Sequence, residues 1–86
     1  MTEIPKKFPL VRLTWKDAQS EAEWNGMDTI QSWAEKDMVI QEIGWIIYEN
    51  KKYLVISNQF AADGDWGNKT KIPVGWIIKK QKVTLK

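Results

Sequence analysis

The 86-residue chain contains no cysteine and no histidine, and it has only five glycines and three prolines. Without cysteine there is no disulfide framework and no thiolate nucleophile. Without either residue the usual zinc and haem sites are excluded, together with the side chain that most often serves as acid or base near pH 7. The scarcity of glycine and proline excludes fibrous and low-complexity classes. No long apolar run is present either: Met1 to Lys7 leads into none, and the longest, Ile43 to Tyr48, is far too short to span a bilayer. A cytoplasmic protein is expected, with which the absence of cysteine agrees.

What is present describes a packed globular chain. With 43% hydrophobic and 28% charged residues it is not disordered. A chain of this length forms one domain burying roughly 60 to 65% of its unfolded surface. Six of its ten aromatics are tryptophan: Trp15, Trp24, Trp33, Trp45, Trp66 and Trp76. Net charge is only +2, yet residues 1–50 carry 5 basic and 9 acidic groups while residues 51–86 carry 8 and 2. So lopsided a chain suits head-to-tail self-association or an anionic partner, though two solvated faces without a partner account for it equally.

Residues 1–9, with Pro5 and Pro9, read as a flexible lead-in to a single domain over residues 10–86. Val11, Leu13 and Trp15 alternate with Arg12, Thr14 and Lys16, the period of a half-buried strand. Asp28 and Gln31 then mark a helix start, and Ile30, Trp33 and Ala34 share one helical face, predicting a short helix over about 28–36. Ser20 and Glu23 make a weaker box of the same kind. Met38 to Tyr48 reads as a long strand in which Gly44 permits a bend, a bulge or a close neighbouring strand. A hairpin over Glu49 to Lys52 leads to a strand over Tyr53 to Ser57. Asn58 to Lys69 has loop composition. Thr70 to Ile72 is a short strand, Pro73-Val74-Gly75 a type I turn, and Trp76 to Leu85 the last strand. The expected fold is mainly β with one short N-terminal helix: five short antiparallel strands closing a small barrel.

The segment from Gly44 to Ile56, and the segment Lys71-Ile-Pro-Val-Gly-Trp-Ile-Ile-Lys79, resemble small phage and prophage barrel proteins of Sm-like or SH3-like fold. Against the Sm pattern, Gly44 matches the glycine of the first motif, Ile46 the apolar position two beyond, and Asn50 the family's aspartate. Leu54 stands where the uridine-binding asparagine would be, and Val74-Gly75 replaces the Arg-Gly pair. The resemblance therefore implies the fold and a tendency to self-assemble through edge strands, but not uridine recognition. It also aligns Trp76 with an aromatic of the peptide groove of SH3 domains.

No enzyme is expected. Glu21 with Glu23 and Asp63 with Asp65 are close carboxylate pairs lacking acid–base partners. Asp63 to Val74 fails the calcium-loop pattern at its fifth, sixth and twelfth positions, so neither metal nor cofactor is expected. Trp15, Trp33 and Trp45 read as core, and Trp24 is unassigned. Trp66, in a loop without apolar neighbours, either docks back, touches another subunit or stacks on a ligand; Trp76 is either core edge or binding surface. Lys51, Lys52, Lys69, Lys71, Lys79 and Lys80, interleaved with Trp66, Trp76 and Tyr53, have the ingredients of a single-stranded RNA surface, or are lysines that discourage uncontrolled edge pairing. The expected function is a non-enzymatic, homo-oligomeric interaction or assembly module of phage or prophage type. The alternatives are a nucleic-acid binder and an SH3-like peptide-binding module.

Overall fold

The computed structural model describes residue 5 and residues 7–85. Among these described residues five antiparallel strands form one sheet: β1 (Leu10–Asp17), β2 (Met38–Glu49), β3 (Tyr53–Phe60), β4 (Trp66–Pro73) and β5 (Ile77–Lys82). The helix α1 (Met27–Ala34) lies between β1 and β2, and one 3-10 turn, Val74–Trp76, joins β4 to β5. Strand order is β4-β3-β2-β1-β5. The sheet is open, with β4 and β5 as its two edges, so the expected closure into a barrel is not seen in the strand pairing.

Alternation on β1 buries Val11, Leu13 and Trp15, and it registers them against Gly44, Glu42 and Ile40 of β2. β2 is long because both halves of the sheet share it: Met38 to Trp45 pair with β1, and Trp45 to Glu49 with β3. The changeover falls at Trp45, next to Gly44. A Cβ at Gly44 would lie 2.6 Å from the Ser57 carbonyl oxygen and 2.8 Å from Ile56 Cγ1, so the glycine is what lets β3 approach. The bulge itself lies farther on, between Ile46 and Tyr48.

Asn50 shapes the β2–β3 hairpin, its Oδ1 accepting hydrogen bonds from the Lys52 and Tyr53 amides, both at 2.8 Å. Strands β3 and β4 run on to Phe60 and back from Trp66, shortening the expected loop of residues 58–69 to a turn over 61–65. The polar side chains of Asn58, Gln59 and Asn68 conceal this extension from a hydrophobic pattern. The ladder is instead held by Ser57, whose buried hydroxyl donates to the Gln59 or Gly67 carbonyl, and by Asn68 Nδ2 donating to Asn58 Oδ1 at 2.7 Å. Asp63 closes the turn by accepting from the Asp65 amide, and Gly64 takes φ +98° there.

Val11, Leu13, Trp15, Ile46, Leu54, Ile56 and Ile72 form the core, with Ile40 and Ile77 packed against it. Trp15 is its largest member, and its buried indole N–H meets no acceptor among the described residues. A second cluster joins Trp45, Phe60, Trp66 and Phe8, with Phe8 edge-on to Trp66 at 5.4 Å and Trp45 edge-on to Phe60 at 5.2 Å. Phe8 precedes β1 whereas Trp66 opens β4, three strands away. On a flat sheet that is roughly 14 Å, so the sheet curls strongly. Of the lead-in expected over residues 1–9, residues 1–4 and 6 lie outside the described residues. Phe8 joins the ring cluster, and the Pro9 carbonyl accepts from the Ile46 amide at 2.9 Å.

The helix contributes nothing to either cluster. α1 begins one residue before Asp28 and its N-cap is Gly26, without a side-chain cap; Asp28 sits in the first turn, where the helix dipole favours a carboxylate. Residues 18–26 form no helical turn around Ser20 and Glu23. No residue of α1 is buried and it makes no extensive contact with any strand, so the expectation that Trp33 belongs to the core is corrected: its ring is half-buried within the arm. The radius of gyration is 16.7 Å, against about 12 Å for a compact chain of this length, in keeping with an arm that stands off the sheet.

Candidate functional site

The lysines that sequence reasoning grouped are divided by the fold. Lys69 and Lys71 lie on β4, Lys79 and Lys80 on β5, and these are opposite edges of the sheet. Lys51 and Lys52 occupy the β2–β3 hairpin. Lys80 approaches Glu49 at 3.9 Å, both half-exposed. Trp66 is part of the ring cluster and opens a strand instead of standing at a loop tip; Trp45, expected in the main core, lies half-buried in the same cluster. Trp76, 42% exposed, ends the 3-10 turn and lines an open cleft of roughly 510 Å³ with Lys16, Asp17, Asp37 and Ile78. It shares no surface element with Trp66.

One compact group does form. Tyr48 pairs with Val55, and Val55 with Lys71, so a row crosses β2, β3 and β4 on the face opposite the buried Leu54 and Ile56. Period two places Tyr53 and Lys69 on that same face. Lys71 Nζ lies 4.9 Å from the centre of the Tyr53 ring, a cation–π contact. The hairpin carrying Lys51 and Lys52 adjoins this row, and the Lys52 carbonyl accepts from the Val74 amide at 2.9 Å, anchoring the hairpin to the 3-10 turn. Glu49 opposes Leu54 and so belongs to the other face. The result is a surface with four lysines and two exposed tyrosines. Sequence reasoning missed Tyr48 here, because its place depends on the bulge beside it, although its pairing across the hairpin was a usable signal.

A second surface was missed outright. Residues 18–37, the arm between β1 and β2, carry five carboxylates and one lysine, a net charge of −4. Trp24 is fully exposed at 101%, Met27 is 65% exposed and Ile30 40%. Glu21, Glu23, Asn25, Thr29, Ile30 and Trp33 line a groove of roughly 260 Å³ on the arm itself. Its root is pinned by the Lys16–Asp37 ion pair at 2.9 Å and by Gln19 Nε2 donating to the Lys36 carbonyl at 3.0 Å. The amphipathic spacing of Ile30 and Trp33 was legible, but it was read as a face turned to the protein's own core.

Among the described residues no three carboxylates gather as a metal site, and no helix is long and apolar enough to cross a membrane. Comparison of the chain with family models, with curated proteins and with solved structures finds no match.

Proposed function

We propose that this chain is a non-enzymatic assembly module, a small Sm-like or SH3-like barrel of phage or prophage type that joins copies of itself through its edge strands. The observation that carries this reading is the open sheet with β4 and β5 unpaired at opposite ends. Two different free edges on one copy offer a head-to-tail contact that propagates or closes into a ring. The strong curl of the sheet and the 3-10 turn before the last strand support the barrel. Lysines on both edges oppose bare edge-to-edge pairing, so assembly calls for a negative group between copies. Sedimentation velocity between about 5 and 100 μM tests it: mass rising with concentration supports the reading, and a strict monomer throughout, indifferent to salt, overturns it.

A second reading rests on Lys71 over Tyr53 beside Lys69 and Tyr48. Cations and exposed rings on one face suit a single-stranded nucleic acid, with phosphates on the lysines and bases on the tyrosines. It requires a labelled oligouridylate to bind with affinity that falls steeply as salt rises. No binding at 20 mM salt eliminates it.

A further inference from the structure

We infer that the acidic arm, residues 18–37, docks on the Tyr48–Tyr53–Lys69–Lys71 face of a second copy of this chain. The inference rests on the self-association proposed above and names the surfaces that carry it.

The helix has no support of its own. Isolated helices shorter than about 12–15 residues are marginal in water, and most helical stability comes from packing an apolar face. α1 has eight residues, buries none of them, and lacks a side-chain cap. Trp24, Met27 and Ile30 are exposed on the same arm, three large apolar side chains within seven residues that the monomer leaves uncovered. The two contacts at the arm's root hold its ends together and leave the helix without a covering strand.

Charge selects the occupant. The arm is net −4, and Lys51, Lys52, Lys69 and Lys71 supply four positive charges around two exposed tyrosines. Each copy therefore carries both members of a complementary pair, at separate places in its fold. A nucleic acid would satisfy the lysines yet leave Trp24, Met27 and Ile30 uncovered. A second copy covers both surfaces at once. It also supplies the negative group that the lysines of β4 demand before another chain can approach that edge. Head-to-tail docking gives each copy two such contacts, one through its arm and one through its face.

Charge exchange tests this in the full-length chain. The arm variant Glu21→Lys/Glu23→Lys and the face variant Lys69→Glu/Lys71→Glu change only exposed side chains, and circular dichroism checks that both keep the wild-type spectrum. Each alone is expected to self-associate at least about tenfold more weakly than wild type. Mixed one to one they are expected to associate again, since the unaltered arm of the face variant, net −4, then meets the unaltered four-lysine face of the arm variant, whereas each altered surface is neutral overall. Trp24→Ala is expected to weaken association with no effect on monomer stability, because that side chain touches nothing in the monomer. If wild type associates and all these variants associate equally well, the edge-strand reading survives and the arm is refuted. A wild type that stays monomeric to 100 μM overturns both, and a wild-type monomer that binds oligouridylate through the same lysines assigns the face to nucleic acid instead.

Discussion

Substituting alanine for Gly44 asks whether the close approach of β3 to β2 is as tight as the fold requires. General β-sheet reasoning expects a gain, because glycine inside a strand is about 0.5–1 kcal/mol less favourable than alanine. The local geometry reverses the sign. The new methyl would sit 2.6 Å from a backbone carbonyl oxygen and 2.8 Å from the Ile56 side chain, well inside van der Waals contact. Neither neighbour can step aside easily: Ile56 is fully buried, and Ser57 is held by its pairing with Trp45 and Lys69 and by its own hydroxyl. Overpacking of this kind costs about 1–3 kcal/mol, and the reduced entropy of the unfolded chain returns about 0.4–1 kcal/mol. The net loss is about 1–2 kcal/mol, which for a domain this size lowers Tm by about 5–15 °C. Thermal melts followed by circular dichroism at about 5 μM, where association contributes least, measure it. Gly75→Ala is the control, since that site is open and outside the left-handed region, and it is expected to leave Tm unchanged or raise it by a few degrees. A Gly44→Ala protein melting at or above wild type would refute the argument, for the two strands would then have room to spare.

Trp66→Ala removes a ring that meets Phe8, Trp45 and Phe60, and it is expected to cost about 2–3 kcal/mol in urea denaturation, with Trp66→Phe restoring most of the loss. A midpoint unchanged by Trp66→Ala would mean that the cluster does not hold the curl of the sheet. Lys80→Ala breaks a 3.9 Å pair whose members are both half-exposed, so its effect is expected below about 0.5 kcal/mol. A loss above about 1 kcal/mol would show that the pair helps to close the sheet.

Period-two alternation was enough to find β1, and Gly44 left a bend, a bulge and a close neighbour open, of which the structure shows the close neighbour. Local chemistry also placed the β2–β3 hairpin at Asn50, the sharp turn after Pro73, and the helix to within two residues. The polar ends of β3 and β4 were lost because Asn58, Gln59 and Asn68 earn their place by ladder and side-chain hydrogen bonds, which leave no hydrophobic period. Likewise, amphipathic spacing says that a helix has an apolar face but not what will cover it. In this protein Ile30 and Trp33 belong to an arm, a fact that depends on where Lys16, Gln19, Lys36 and Asp37 meet in space. Sequence alone determined a mainly β chain of charged halves with neither cysteine nor histidine, since composition and period are properties of neighbours along the chain. Only the tertiary structure decided that the lysines part to opposite edges, that Trp66 turns inward, and that an acidic arm and a basic face stand separately on one molecule. Each of those depends on strand order and curl, and these are set by contacts between residues far apart in the chain.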